Sequence, residues 1–131
     1  MSVLELHVLI SEDDVEDEYL DSRTHQLRKE LLQLEVESVK FLSVGPPPAG
    51  AKGLDVSDVG TLVVVVIQTA AALQQLINTT RGWVKHGYAK QRTVVIKAGE
   101  DELKITGVDD REEASRIELF VARNSELEAR P

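Results

Sequence analysis

Histidine is the side chain best suited to proton transfer at neutral pH, and this chain has three, His7, His25 and His86. A catalytic histidine needs a reacting group at one ring nitrogen and an orienting carboxylate at the other. None of the three stands in a recognised hydrolase, metalloprotease or nucleotide-binding motif. We expect His7 on a strand face, His25 facing solvent and His86 beside a helix C-terminus. The sequence therefore predicts no catalytic residues; the alternative is an enzyme subunit whose site, completed by a partner, gathers a histidine with carboxylates.

Carboxylates are the other abundant chemical groups, and they concentrate between Asp13 and Asp21. A calcium loop of the EF-hand type needs a glycine at its sixth position, and no glycine occurs between Met1 and Val44. Acidic residues are also favoured in the first turn of a helix, which is the interpretation we adopt. The Pro/Gly-rich loop 45–53 lacks the spacing of a phosphate loop. The sequence therefore predicts neither a metal ion nor a cofactor.

Trp83 is the single tryptophan, and basic residues surround it in the sequence: Arg81, Lys85, His86, Lys90 and Arg92. Tryptophan is frequent among the residues that dominate protein interfaces. One interpretation is an anchor within a basic patch that docks an acidic partner. The other is a core residue that closes the end of a helix, with the cations balancing the acidic segment near the N-terminus.

Composition narrows the class of protein. The 131 residues are most simply one domain, residues 1–124, with 125–131 as a frayed tail. The net charge of −8 opposes non-specific binding to nucleic acid or anionic membranes. The chain has no cysteine, and its N-terminus shows no basic, cleavable leader pattern. We therefore expect a cytoplasmic protein without a nucleic-acid partner.

The segment from Asp55 to Gly87 is the most unusual stretch, because no charge occurs between Asp58 and Arg81. Apolar residues from Leu73 to Val84 recur at helical spacing. Residues 61–67 are β-branched and apolar on every face, which suits either a buried helix or a buried strand. We predict one long helix over about 57–86, because no turn signal separates Ile67 from Ala70. Its apolar run is too short for a membrane span.

The flanking segments show clearer patterns. Alternation predicts strands at 3–10, 34–44, 92–97 and 102–106, and 3.6-residue periodicity predicts helices at 14–33 and after Asp109 or Asp110. The loop 45–53 is expected as an exposed connector, with docking into an aromatic groove as the alternative. The predicted order is β-α-β, long α, β-β, α. The predicted fold class is α+β: a single domain with a roughly four-stranded mixed sheet and helices packed on one face.

The chain resembles the effector-associated constant component family of bacterial conflict (immune-type) systems. The resemblance is carried by the opening strand VLELHVLI with its acidic helix, the Pro-rich loop, the segment ALQQLINTTRGWVKHG and the closing hairpin TVVIKAGEDELKITG. It covers about Val3 to Arg123. It implies a noncatalytic, cytosolic component encoded beside sensor NTPases and protease or other effector modules.

The expected function is an adaptor or scaffold that couples a sensor to an effector through protein–protein contacts or self-assembly. The candidate interaction residues are Leu62, Val64, Val65, Trp83, Arg81, Lys85, Lys90 and Arg92. The expected partners are a sensor NTPase, a protease or other effector, and a second copy of the chain. The alternative is a membrane-acting component whose apolar helix inserts on activation, although a membrane partner is not expected of the resting protein.

Overall fold

The structure is a computed structural model that describes residues 2–12, 16–46, 58–85, 92–106 and 111–125. These residues form an α+β fold with five strands and three helices. In chain order they are β1 (Val3–Glu12), α1 (Asp17–Leu31), β2 (Ser38–Gly45), β3 (Val59–Ile67), α2 (Ala70–Lys85), β4 (Arg92–Ala98), β5 (Asp101–Thr106) and α3 (Glu113–Asn124). The predictions for most of the loop 45–53, His86, Lys90, the cap at 109–110 and the tail beyond Ser125 lie outside the described residues.

The sheet has the order β2-β3-β1-β4-β5, and every neighbouring pair is antiparallel. The prediction of a four-stranded mixed sheet is therefore wrong in strand number and direction, while the α+β class is confirmed. β1 and β2 do run in the same direction, but β3 lies between them. The connectivity from β1 to β4 is that of two interleaved split β-α-β units, the ferredoxin-like arrangement, to which β5 and α3 are added.

The long central helix is the principal error of the sequence prediction. Residues 59–67 form β3, whose centre pairs with β1 on one side and β2 on the other. α2 begins only at Ala70, where Thr69 caps it: the Thr69 Oγ1 accepts a hydrogen bond from the Ala72 amide at 3.2 Å. A central strand carries apolar residues on both faces, which explains why this segment lacks the alternation of an edge strand.

The helical stripes agree closely with the periodicity of the sequence. In α1 the buried residues are Leu20, Thr24, Leu27 and Leu31, and in α2 they are Leu73, Leu76, Ile77, Thr80, Trp83 and Val84. In α3 they are Glu113, Ile117, Phe120 and Val121. All three helices cover the same face of the sheet, as predicted, and their buried residues share one core with Leu6, Val8 and Ile10 of β1.

The close approach of α1 to β3 depends on Gly60. A Cβ atom at this position would lie 1.9 Å from the Oγ1 of Thr24, whose hydroxyl donates to the Leu20 carbonyl at 2.8 Å. Only a residue without a side chain fits beneath this part of the helix.

The two edges of the sheet differ. β2 shifts register between Phe41 and Ser43, so Leu42 sits in a bulge. β5 stays in unbroken register with β4 along its whole length. A tight turn joins β4 to β5. Gly99 in this turn has a φ of 63°, the left-handed conformation that primed hairpin turns require.

Candidate protein-interaction surface

The interaction residues expected from the sequence are largely inside the protein. Leu62 and Val64 point from β3 toward the helices and are fully buried. Trp83 and Arg92 are also buried. These four side chains contact the core rather than solvent. Of the apolar candidates in β3, only Val65 lies on the face opposite the described helices.

Trp83 and Arg92 belong to a buried polar cluster at one end of the sheet. The guanidinium of Arg92 lies over the Trp83 ring, and its Nη1 donates to the Trp83 carbonyl at 3.0 Å. Its Nε donates to Glu12 Oε1 at 2.9 Å. The indole Nε1 donates to Gln26 Oε1 at 3.4 Å. Arginine suits this role because its fixed fork satisfies several acceptors while its flat face stacks on an aromatic ring.

Arg23 extends this cluster to the surface of α1. Its Nε is 4.0 Å from Glu12 Oε1, its Nη1 donates to Gln26, and its Nη2 contacts the Tyr19 hydroxyl. Glu12 therefore faces two guanidinium groups. The arrangement joins β1, α1, α2 and β4, and its chemistry is that of a structural ion network.

The other cations of the expected basic patch are placed differently. Arg81 Nε lies 2.6 Å from Glu113 Oε1, which joins α2 to α3. The N–H is not aligned on the carboxylate, and within the described residues neither oxygen of Glu113 has a hydrogen-bond partner. Lys85 is exposed at the end of α2, and Lys90 is outside the described residues. Among the described cations, Arg81, Lys85 and Arg92 thus do not share one exposed surface.

The face of the sheet opposite the three described helices carries a partly exposed apolar row. Val3 of β1 pairs with Ile67 of β3, and Val65 and Val63 follow at alternate positions along β3. Val3 is 54% exposed and the other three are half-buried. We call Val3, Val63, Val65 and Ile67 the open-face strip. Further along the same face Leu9, Val59 and Val95 are buried in a second, smaller cluster.

A polar depression borders the open-face strip. It is lined by Glu5, His7, Lys97 and Gly99 and has a volume of about 470 Å³. Glu5 is exposed and His7 is half-buried, and His7 Nε2 lies 3.8 Å from Glu5 Oε1. This separation exceeds the reach of about 2.6–3.2 Å at which a base is oriented for catalysis. Glu5 and Lys97 place a negative and a positive charge beside the open-face strip.

The second histidine has a more defined environment. His25 Nε2 lies 3.2 Å from Asp21 Oδ1 one turn earlier on α1, and its ring stacks on Phe41 of β2 at 4.3 Å between centroids. Both members of the ion pair are about half exposed. The contact packs the middle of β2 against α1.

Two carboxyl groups have shifted pKa values. The pKa of Asp101 is lowered, mainly because the Arg123 guanidinium donates to it, and Asn124 adds a further hydrogen bond against the opposing effect of burial. The pKa of Asp58 is raised, mainly by a side-chain hydrogen bond with Asp17. The first interaction ties the end of α3 to the start of β5, and the second places two carboxyl groups together at the start of α1.

No family model, curated protein or solved structure matches the chain. The resemblance to the effector-associated constant component family therefore stays a prediction. Within the described ranges, none of the helices combines the length and the apolar character that crossing a bilayer requires. The histidine, aspartate and glutamate side chains of those ranges form no group of three or more that could hold a metal ion.

Proposed function

We propose that this protein is a noncatalytic adaptor that binds another protein component through the open-face strip. The observation that supports the proposal is the partly exposed apolar row formed by Val3, which is exposed, and by half-buried alternate residues of β3. The solvent-facing side of an antiparallel sheet ordinarily carries polar residues. An apolar row at this position, rimmed by Glu5, His7 and Lys97, has the composition of a protein interface with a polar border.

The family resemblance suggests which proteins to test. It implies a cytosolic component of a bacterial conflict system, encoded beside a sensor NTPase and an effector such as a protease. The adaptor would then hold sensor and effector together. The alternative of a helix that inserts into a membrane loses its basis, because the apolar segment that suggested it is the strand β3.

The test is co-purification with the proteins encoded by the neighbouring genes, followed by light-scattering mass measurement. Wild type and Leu32→Glu, a control on the exposed end of α1, are expected to form a complex. Val65→Glu is expected to stay folded and to lose at least about tenfold in affinity, because it places a charge in an apolar contact. A complex that forms equally well with Val65→Glu, or no complex with wild type, would overturn the proposal.

A further inference from the structure

The open-face strip has an exposed charge of opposite sign on each of its two long sides. On one side, Lys40 of β2 pairs with Val63 of β3. On the other side, Glu5 of β1 pairs with Val65 of β3. Both charged residues are exposed, and the contact of Glu5 with His7 Nε2, at 3.8 Å, leaves the glutamate side chain 60% exposed. The apolar row therefore runs between a positive and a negative charge, each one strand away from it.

Lys97 is also on the side of β1, but it is further from the strip. It pairs with His7 across β1 and β4, which places it two strands from β3. Its Nζ lies 3.8 Å from Glu102 Oε2, and both side chains of this pair are less than a fifth exposed. Glu5 is therefore the charge that faces a molecule seated on the strip from this side.

This arrangement of charges makes the surface complementary to itself. In a twofold dimer the same patch of each copy forms the contact, so every group must suit its own surroundings after the rotation. When two sheets stack face to face about an axis along β3, β2 of one copy lies over β1 of the other. Lys40 of each copy then approaches Glu5 of the other copy, and each valine of β3 in the strip faces its own counterpart.

A twofold axis that runs across the strands would give a less favourable contact. β2 would then lie over β2 and β1 over β1, so Lys40 would approach Lys40 and Glu5 would approach Glu5. Like charges placed opposite each other across an interface weaken it. The charges therefore favour the axis along β3, with the two sheets about 10 Å apart as in a β-sandwich.

We propose that a second copy of this chain binds the open-face strip in this way, with the twofold axis along β3. The proposal rests on the proposed function, since it takes the same strip as a binding surface, and another component would have to replace the second copy there. The strip with its two flanking strands measures roughly 14 by 17 Å. A standard stable interface buries about 800 Å² on each partner. We therefore expect a weak dimer that dissociates readily.

Sedimentation equilibrium of the full chain, from about 1 μM to about 1 mM, measures this association. Wild type is expected to change from monomer to dimer over the range. Lys40→Glu and Glu5→Lys are each expected to weaken the dimer at least about tenfold, because each variant places like charges opposite each other. Lys104→Glu is the matched control, since this exposed lysine lies on the same face but on β5, three strands from β3. It is expected to leave the association unchanged.

An equimolar mixture of Lys40→Glu and Glu5→Lys identifies the second copy as the occupant. In a mixed dimer, one contact joins the two new side chains and the other joins the two original ones, so both contacts pair a lysine with a glutamate. The mixture is therefore expected to associate at least about tenfold more tightly than either variant alone. Circular dichroism verifies that the variants are folded.

The proposal is overturned if wild type stays monomeric up to about 1 mM, if the mixture associates no better than its two members, or if Lys104→Glu has the same effect as Lys40→Glu. A monomeric wild type that still forms a complex with a component from the neighbouring genes overturns this proposal and leaves the proposed function standing. A dimer that binds no such component overturns the proposed function and leaves the dimer standing.

Discussion

The guanidinium carbon of Arg92 lies 4.3 Å from the centroid of the Trp83 ring. This contact joins the first residue of β4 to the last turn of α2, and Glu12 completes it from the end of β1. Trp83 and Arg92, which the sequence suggested as part of a docking patch, thus belong to a buried junction of these elements. A surface function must use residues other than these two.

Removing the charge of Glu12 should destabilise the protein strongly. Glu12→Gln leaves Arg92 buried without its counter-charge, and breaking a buried pair in this way costs about 3–5 kcal/mol. Urea unfolding followed by circular dichroism measures the loss. The control Glu5→Gln, on an exposed strand position, should change the free energy of unfolding by less than about 0.5 kcal/mol. Equal effects of the two substitutions would mean that the buried pair contributes nothing.

Glu113 should behave differently although it is equally buried. Its side chain is 1% exposed, but its partner Arg81 is 36% exposed and can turn toward water when the carboxylate is removed. Glu113→Leu also replaces a carboxylate without hydrogen-bond partners in the described structure by an apolar group that fits the core. We expect a change within about 1 kcal/mol in either direction. A loss as large as that of Glu12→Gln, measured by the same urea unfolding, would contradict this.

Gly60 should not tolerate a side chain. Gly60→Ala drives a methyl group into the Thr24 hydroxyl, and overpacking of this kind costs about 1–3 kcal/mol or more. The second substitution Thr24→Ala should recover part of the loss, because it removes the clashing oxygen. Gly82→Ala is the matched control: nothing lies near its Cβ within α2, and it should stabilise the helix by up to about 1 kcal/mol. Thermal unfolding of these three variants beside wild type gives the comparison.

The Asp101–Arg123 pair should make stability depend on pH at the acid end. The pKa of Asp101 is lowered in the folded protein, so the folded state holds its proton less tightly than the unfolded state. The resulting stabilisation is present at pH values above 3.8, the usual pKa of an aspartate, and is lost as the pH falls through the lowered pKa of Asp101. Asp101→Asn should therefore be modestly less stable than wild type at neutral pH.

The difference in stability between wild type and Asp101→Asn should shrink as the pH is lowered below about 5. Thermal unfolding at a series of pH values measures it. The effect is small because the pair is partly exposed and screened by water. In an Arg123→Gln background the pH-dependent difference should become smaller, because the largest cause of the lowered pKa is removed and only weaker hydrogen bonds such as that of Asn124 remain. A difference that stays constant through the acid range would show that the carboxylate is not stabilised by Arg123.

The elements with one solvent-facing side could be predicted from the sequence. The stripe of α1 is confirmed residue by residue, because a helix on the surface separates apolar from polar positions. β3 could not be identified in this way, since a central strand removes the alternation that marks a strand. Thr69 could have indicated that a helix begins after the β-branched run. It precedes three alanines, which is the position of an N-cap residue.

The surfaces were harder to predict than the elements. Val63, Val65 and Ile67 become an exposed row only because β3 inserts between β1 and β2, a long-range pairing that no local pattern encodes. In α3 the periodicity fits Ala114 as well as Glu113, and the structure buries the glutamate.

The position of β1 in the centre of the sheet affects how the chain is made. Val8 pairs with Leu62 on one side and with Ile96 on the other, so neither neighbour exists when β1 leaves the ribosome. Contacts between residues this distant in sequence form slowly, and an unpaired apolar strand is prone to aggregate in the meantime. β1 therefore gains its second neighbouring strand only after β4 has been synthesised. In a nascent chain halted before Arg92, the edge of β1 that pairs with β4 would be left exposed.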